Sequence, residues 1–350
     1  MLGNNIISLD IGTYSTKIIV GRQQNKGIQV EQAITIPTPP NAYDDGNILS
    51  MERLSEALLQ ALTSNKIKAK KTICTVGSTA IILREIALPA AKPEELDTMV
   101  RYEIENYLPI MLDEYVIEHK VLEDFTEEDV KKQRIMVAAM PKKFVEGYLE
   151  LLKRLKLQPY ALDMHTNAIS KVFDREVKIN DEYYRLDKTV AVIDLGHSFI
   201  HTHIISKGLL RFSRIISQGG KDIDSNIANA FNLSLKEASE KKNQLSESSQ
   251  NHLNSGTAAL LSEMTESNIN DWSEELQRIF QYYTSRATGN HIDAIYLCGG
   301  GAKLENVVNH LSANFQLPVY MIRNISNIHL YKSKDSIHEY LNAIAALWRR

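Results

Sequence analysis

The chain of 350 residues is poor in cysteine, has no excess of charge of one sign and contains no long apolar run. Its two cysteines, Cys74 and Cys298, lie in separate apolar runs, which favours buried free thiols in a reducing compartment and excludes a cysteine-based zinc site. The 40 basic and 43 acidic residues give a net charge of −3, so no basic footprint for nucleic acid is present. No stretch approaches the roughly 18 apolar residues of a membrane span. We therefore expect a cytoplasmic protein that neither binds nucleic acid nor inserts into the membrane.

The chain does contain a repeat. Residues 6–20 and 190–205, which start 184 positions apart, share one plan: an apolar run, an Asp-x-Gly, small polar residues and a second apolar run. Each copy predicts a β-hairpin whose tight turn carries a carboxylate and a backbone freed of bulk by glycine. A single copy is typical of an ordinary surface turn. Two copies facing each other would surround a polyphosphate with amide donors and place two acids beside its metal ion.

The two turns offer the chemistry that a nucleoside triphosphate needs. Gly12 lets the backbone approach a phosphate, and Lys17 on the outgoing strand is positioned to neutralise a β- or γ-phosphate. Asp10 and Asp194 are predicted to hold Mg²⁺ through water, because this ion retains several waters and takes one or two carboxylates. The predicted nucleotide-binding residues of the turns are Asp10, Gly12, Thr13, Tyr14, Ser15, Lys17, Asp194, Gly196, His197 and Ser198.

A glycine run, Gly299-Gly300-Gly301, follows the predicted strand Ala294–Cys298. It does not fit a dinucleotide-binding fingerprint, because Leu304 stands where glycine or alanine is needed, and no P-loop sequence occurs in the chain. A tight turn from strand to helix is the structural alternative. We expect the glycines to form a flat platform for an adenine ring, with Lys303 beside it.

Four histidines, His165, His197, His201 and His203, do not form a metal-ligating set. His201 and His203 share one strand face, but no third ligand accompanies them at a useful spacing. The sequence therefore favours a solvent or core face for this pair.

Periodicity divides the chain into two related α/β halves with a cleft between them. A β-meander is predicted over 5–36, a charged loop over 123–133, a helix over 163–173, a polar connector over 175–187 and later helices over 274–286, 304–315 and 339–350. The expected division is 1–87 for the first half, 88–160 for an inserted α+β block, 161–187 for a connecting helix and linker, 188–224 and 289–333 for the second half, 225–288 for a helical subdomain and 334–350 for a closing helix.

Taken in order, these segments resemble the five-part nucleotide signature of the actin/hexokinase/Hsp70 superfamily. Asp10–Lys17 and Asp194–Ser198 resemble its two phosphate loops, and Leu297–Ala302 resembles its adenosine loop. The predicted helix from Asp163 and the run 342–346 resemble its two connecting helices. The resemblance implies an actin-like two-domain fold made of two duplicated ribonuclease-H-like halves, with ATP and Mg²⁺ as cofactors. It also implies that Lys242 is the lysine of the adenosine-contacting helix.

Within that superfamily, the inserted block is similar to the PilM family of type IV pilus assembly proteins. The motifs that carry the similarity are Arg84–Pro89, Glu95-Leu96, Ile104–Pro109, Val137–Lys142, Tyr148–Leu152 and Gln158-Pro159. The resemblance implies an ATP-binding scaffold that reaches the inner face of the cytoplasmic membrane through its partners. Such a scaffold would bind the cytoplasmic N-terminal tail of a PilN-type membrane protein and link it to the assembly ATPase and platform proteins. It leaves self-association open.

Two departures from the superfamily pattern bear on hydrolysis. Ser239 replaces the acid of the adenosine-contacting helix, and His165, with Asn167 nearby, stands where relatives orient the attacking water. His165 is therefore the candidate catalytic residue, and weak or absent hydrolysis is expected.

Two alternative functions remain: an FtsA-like cytoskeletal protein and, less favoured, a small-molecule kinase. The chain stops at Trp348-Arg349-Arg350 inside its last predicted helix, without the terminal amphipathic helix of FtsA, which favours the PilM family. The inserted block carries no paired-acid or Gly-rich substrate motif of the kind that a kinase would need.

Overall fold

The computed structural model describes residues 5–25, 27–107, 111–246, 255–331 and 337–349, which form two α/β halves around a cleft. Some of the predicted features lie outside the described residues. They are Leu108 and Pro109 of one motif, residues 247–254 of the predicted helical subdomain, the start of the closing segment at 334–336 and Arg350.

The first half and the segment that leaves it contain strands β1–β12 and helices α1–α4. In chain order they are β1 Ile6–Ile11, β2 Ser15–Gln24, β3 Gly27–Pro37, β4 Tyr43–Asp44, β5 Asn47–Ile48, α1 Met51–Ser64, β6 Lys71–Val76, β7 Ile82–Pro89, α2 Pro93–Tyr107, β8 Tyr115–Glu127, β9 Val130–Pro141, α3 Lys142–Arg154, β10 Gln158–Met164, α4 His165–Ser170, β11 Val177–Ile179 and β12 Glu182–Tyr184.

The second half contains β13 Thr189–Leu195, β14 Ile200–Ser206, β15 Leu209–Ile216, α5 Gly220–Phe231, α6 Leu235–Ser246, α7 Ser255–Ser285, β16 Ala294–Cys298, α8 Val307–Phe315 and β17 Val319–Met321. The chain then returns to the first half with β18 Ile328–Leu330, which pairs with β3, and α9 Leu341–Ala346. Short 3-10 helices lie at Leu112–Glu114, Gly300–Lys303 and Ile337–Tyr340.

Each half is built on a mixed sheet. The described strands of the first half pair in the order β10-β6-β1-β2-β3-β18, and those of the second half in the order β15-β14-β13-β16-β17. In each half an antiparallel hairpin, β1–β2 or β13–β14, lies beside a parallel strand, β6 or β16. The repeated sequence plan is therefore a repeated topology, and the acid-bearing ends of β1 and β13 face the cleft.

Several predicted elements differ from the structure because long-range pairing overrides local pattern. The predicted helix 163–173 begins only at His165, since Gln158–Met164 pairs in parallel with β6 as an edge strand. The predicted loop 123–133 is a tight turn between longer strands, with positive φ at Glu128 and Asp129. The connector 175–187 contains the β11–β12 hairpin.

Three helix predictions also need correction. The helix predicted from Glu274 already begins at Ser255, and the helix predicted from Leu304 begins at Val307 after a 3-10 turn. The closing segment is a 3-10 turn followed by α9, which ends at Ala346 rather than at the end of the chain.

The inserted region forms a separate three-stranded sheet in the order β7-β9-β8. Helix α2 covers one face of this sheet through a core that includes Val100, Ile104 and Val137. The next helix, α3, instead packs through Phe144 and Leu151 into the core of the first half. The region 142–164, which was predicted to belong largely to the inserted block, is thus built into the first half; the wider division of the chain stays a prediction.

The two halves share a core around α4 and α9. Every residue of α9 is buried, and its alanines allow the backbone of α4 to approach closely. Because α4 follows a strand of the first sheet and Asn342 of α9 donates to Asp194 of the second hairpin, this packing joins the two halves. Among the described residues, no helix combines the length and apolar character that crossing a membrane requires.

Candidate nucleotide-binding site

The two Asp-x-Gly turns have the same backbone geometry. The amide of Gly12 donates to the carbonyl of Ser15, and the amide of Gly196 donates to the carbonyl of Phe199, both at 3.1 Å. A Cβ at Gly12 would lie 2.9 Å from Ser15 O, and one at Gly196 would lie 2.5 Å from Phe199 O. Glycine is therefore required sterically in both turns.

The tips of the two turns touch across the cleft. The Oγ1 of Thr13 lies 2.9 Å from the Oγ of Ser198 and 3.3 Å from Nδ1 of His197. The ring of Tyr14 packs on His197 with centroids 5.0 Å apart, and its hydroxyl lies 3.3 Å from Ser239 Oγ on α6. A residue of the first half thus reaches both the hairpin and the helical part of the second half.

The cleft has a volume of about 1120 Å³, which is sufficient for a nucleotide. All the residues predicted from the sequence to bind nucleotide, metal or water line this one cleft. They are Asp10, Gly12, Thr13, Tyr14, Ser15, Lys17, His165, Asp194, Gly196, His197, Ser198, Lys242, Gly299, Gly300, Gly301 and Lys303. Their individual roles toward a ligand stay predictions.

Hydrogen bonds from the two connecting helices orient the two acids. Nε2 of His165, the first residue of α4, lies 2.9 Å from Oδ1 of Asp10, and Nδ2 of Asn342 on α9 donates to Oδ2 of Asp194 at 2.8 Å. Burial raises the pKa of Asp10, but the charge and hydrogen bond of His165 and the charge of Lys17 outweigh it, so that this pKa lies below its ordinary value.

His165 carries the complementary shift. Burial lowers its pKa, but the charge and hydrogen bond of Asp10, with the charge of Asp194, raise it above the ordinary value. His165 therefore lies within the electrostatic reach of both acids. Among the described residues, no group of three or more His, Cys, Asp or Glu side chains is arranged to hold a metal ion, so Mg²⁺ would depend on the two acids and water.

The three lysines of the cleft differ in their partners. Lys242 is buried, and its Nζ lies 2.7 Å from Oδ1 of Asp224 and 3.1 Å from the carbonyl of Gly220. Lys303 forms an ion pair with Glu339. Lys17 has its Nζ 3.5 Å from the carbonyl of Ser15, and among the three it is the lysine whose charge acts on Asp10. We therefore regard Lys17 as the cation best placed for a phosphate.

The glycine run forms a turn that abuts the second acid. Gly299 has φ 83° and ψ 173°, and a Cβ there would lie 2.1 Å from Oδ1 of Asp194. Gly301 is also enclosed, since its Cβ would lie 2.8 Å from that of Leu195. Gly300, in contrast, has no heavy atom within 4 Å of the position of a Cβ. The open face of Gly300 leaves room for a flat ligand.

Several cleft residues were not predicted from the sequence. Asn342 has no predicted role beyond the connecting-helix run 342–346, and Asp224, which neutralises the cleft residue Lys242 from outside the lining, lies 18 positions from that lysine. His201 is buried, in agreement with the predicted core face, and it also lines the cleft, opposite Asp194 in the β13–β14 ladder. The repeat could have predicted this position, because His201 lies 184 residues after Lys17, and Lys17 occupies the same place opposite Asp10.

Two related halves, paired acid-bearing turns and a cleft between them define a protein of the actin-like class. The comparisons give the family: residues 8–345 match the family described as type IV pilus assembly protein PilM, and the chain belongs to that family.

Solved structures share the fold. A PilM–PilN type IV pilus biogenesis complex contains a chain with 20% identity and a TM-score of 0.81, over 98% of this chain and 97% of that chain. The ethanolamine utilization protein EutJ from Carboxydothermus hydrogenoformans has 11% identity and a TM-score of 0.58, over 99% of this chain and 90% of that one. MreB 5 of Spiroplasma citri, bound to AMPPNP, has 13% identity and a TM-score of 0.54, over 99% of this chain and 96% of that one.

Proposed function

We propose that this protein is an ATP-binding scaffold of the type IV pilus assembly machinery, whose output is a protein–protein contact. The observation that supports it most directly is the convergence of both Asp-x-Gly turns and the glycine run on one cleft, in a chain of the PilM family. A structural neighbour bound to AMPPNP and another described as a PilM–PilN complex agree with the two parts of the proposal.

In this proposal the two Asp-x-Gly turns would hold the phosphates of ATP, and the turn at Gly300 would hold the base. Asp10 and Asp194 fit a hydrated Mg²⁺, because a side chain of a connecting helix orients each carboxylate, as outer donors do for metal-binding acids. When bound, Mg²⁺ would offset the negative charge of the phosphates. The contact between Thr13 and Ser198 would be the part of the site most sensitive to the terminal phosphate.

Slow or absent hydrolysis follows from the position of His165. Its Nε2 is committed to Asp10, and its Nδ1, although it has no hydrogen-bond partner among the described residues, is buried near Gly77, where a Cβ would lie only 2.6 Å away. A group that orients the attacking water must present a free acceptor or donor to it. His165 is therefore better suited to positioning Asp10 than to activating water.

The partner contact is proposed to use the inserted sheet, which ion pairs join to the second half. Glu123 on β8 accepts from Arg134 on β9 and from Arg211 on β15, both at 2.9 Å through Oε1. The hydrogen bond from Arg211 is the main reason why the pKa of Glu123 is low. A change in cleft opening would therefore reach the inserted sheet through Arg211 and Glu123.

The test uses the N-terminal cytoplasmic peptide of a PilN-type protein from the same organism. We expect the full chain to retain this peptide, and to retain it more strongly with ATP and Mg²⁺ than without. Glu123→Gln should reduce the effect of ATP on peptide affinity while leaving ATP affinity itself unchanged. Glu127→Gln is the matched control, because Glu127 lies on the same strand and pairs only locally with Lys132 among the described residues.

Three outcomes would contradict the proposal. Absence of peptide retention with and without ATP would remove the scaffold role. Filaments that form on addition of ATP, seen by light scattering, would favour the FtsA-like alternative. A phosphorylated metabolite that appears on incubation with ATP would favour the kinase.

A further inference from the structure

A second surface of the first half has a composition that the nucleotide site does not explain. Residues 60–71 and 151–162, which end α1 and α3 and lead into β6 and β10, contain seven basic residues and no acid. The whole chain, by comparison, has slightly more acidic than basic residues, 43 against 40. The basic residues are Lys66, Lys68, Lys70, Lys71, Lys153, Arg154 and Lys156.

The two segments meet at the edge of the first sheet. The amide of Gln158 donates to the carbonyl of Lys70 at 2.8 Å, and Gln158 pairs with Lys71 in the β10–β6 ladder. Lys66 lies four residues before Lys70, and Lys153 lies five residues before Gln158. The chain spans at most about 3.5 Å per residue, so the lysines cluster around this contact. We call Lys66, Lys68, Lys70, Lys71, Lys153 and Lys156 the lysine patch.

The charges of the patch are exposed and uncompensated. All six lysines are exposed, and none forms an ion pair with an acid in the described part of the chain. Arg154 is excluded from the patch because Glu150 and Glu52 pair with it. Tyr160, also exposed, lies against the patch with its ring 3.4 Å from Nζ of Lys71.

The geometry points to a surface that binds anionic lipid headgroups: we propose that the lysine patch docks the protein on an anionic membrane. Clusters of four to eight basic residues are typical of binding to anionic leaflets. Lysine side chains, as flexible and strongly hydrated point charges, suit many headgroups better than one rigid acidic partner. An exposed tyrosine suits the same interface, because its ring is apolar and its tip is polar.

The patch is separate from the nucleotide site. It lies where β6 and β10 begin, whereas Thr75, paired with Asp10, and His165 lie where these strands end. The four steps along β6 from Lys71 to Thr75 correspond to roughly 13 Å. Loss of patch charges should therefore leave ATP binding unchanged, and the proposal does not depend on the nucleotide function.

The test is sedimentation of the full chain with vesicles. One set contains phosphatidylcholine with about 30 mol % phosphatidylglycerol and the other contains phosphatidylcholine alone, both at low salt because exposed charges are screened by ions. We expect binding to the anionic vesicles only, with release at high salt. The variant Lys66→Gln/Lys68→Gln/Lys70→Gln/Lys156→Gln should bind at least tenfold more weakly, since each basic residue near such a surface contributes about 1 kcal/mol.

The matched control is Lys92→Gln/Lys131→Gln/Lys207→Gln/Lys236→Gln, which removes the same charge from exposed positions elsewhere. It should bind anionic vesicles like the unmodified protein. Both variants should bind ATP with the affinity of the unmodified protein. Equal losses in the two variants would overturn the proposal, since net charge alone would explain binding. Equal binding to neutral vesicles would overturn it as well. So would failure of the unmodified protein to bind anionic vesicles, which would leave an acidic protein as the partner of the patch.

Discussion

The two Asp-x-Gly hairpins share a backbone and differ in the charge around their acids. The residue opposite the acid in each ladder is Lys17 in the first hairpin and His201 in the second. The donor from the connecting helix is His165 for Asp10 and Asn342 for Asp194. Burial, followed by the charge of His165, lowers the pKa of His201 to about 4, so His201 is neutral at pH 7.

The difference assigns the two acids unequal tasks. Asp10 has Lys17 opposite it and His165 hydrogen-bonded to it, whereas the residue opposite Asp194, His201, and the residue hydrogen-bonded to it, Asn342, are neutral at pH 7. A metal ion would add the missing positive charge beside Asp194 more favourably than beside Asp10. We propose that the duplicated hairpins therefore differ in role, the first facing phosphate through Lys17 and the second facing the metal ion.

The largest expected effect concerns the glycine beside the second acid. Cys298 pairs with Asp194 in the second sheet, and Thr75 pairs with Asp10 in the first. The residue after each of these, Gly299 or Val76, therefore occupies the same place in its half. Gly299→Ala should lower the free energy of unfolding by about 3 kcal/mol and abolish ATP binding, because φ 83° with ψ 173° is a glycine conformation and the Cβ would meet the carboxylate. Urea denaturation and ATP titration measure both effects.

The neighbouring glycine provides the control. Gly300→Ala should leave the free energy of unfolding nearly unchanged, because no atom lies within 4 Å of the new Cβ. If both variants unfolded alike, the steric role of Gly299 against Asp194 would be wrong.

Neutralising each acid in turn tests the division directly. Asp194→Asn should weaken binding of ATP with Mg²⁺ by about a hundredfold and remove most of its dependence on Mg²⁺, because the carboxylate charge is lost from the metal-facing half. Asp10→Asn should weaken it less and retain the Mg²⁺ dependence. The measurement is ATP affinity with Mg²⁺ and with a chelator; identical behaviour of the two variants would mean that the acids share one role.

Local chemistry explains what the sequence could predict. The hairpins and the glycine run are fixed by Asp-x-Gly turns and adjacent apolar strands, and the structure brings all of their predicted residues to one cleft. Strand β10 was missed because Pro159 and Tyr160 interrupt its alternation, and only its pairing with β6 makes it a strand.

The charges of the site could not be predicted in the same way. Helix packing brings Asp224 to Lys242, and it also brings Asn342 to Asp194 across 148 positions. Neither contact can be read from local sequence. The predicted core face of His201 agrees with its burial, but its place at the cleft was not predicted, because a histidine on an apolar strand is usually a core residue and no more. Its register opposite Asp194 shows its relation to the site.

Replacing the residue opposite each acid by glutamine should have a smaller effect on nucleotide affinity. Lys17→Gln should weaken ATP binding about tenfold and AMP binding much less, because one charge–phosphate interaction is lost. His201→Gln, at the equivalent place in the second hairpin, should change ATP affinity less than about twofold because it removes a neutral side chain. Titration of both nucleotides checks the pair, and a tenfold loss in His201→Gln would show that the hairpins contribute alike.

The smallest effect is the pH dependence of the Asp10–His165 pair. The pKa of His165 in the fold is above its ordinary 6.5, so protonated His165 stabilises the fold fully below that value, and this contribution is lost as the pH rises through the raised pKa. The pKa of Asp10 lies below its ordinary 3.8, so its contribution is present above that value and is lost in acid. His165→Gln should therefore be less stable than the unmodified protein near pH 5.5, and the difference in the free energy of unfolding should be smaller near pH 8.5. Urea denaturation at the two pH values measures this, and a constant difference would mean that a neutral hydrogen bond, not an ion pair, holds Asp10.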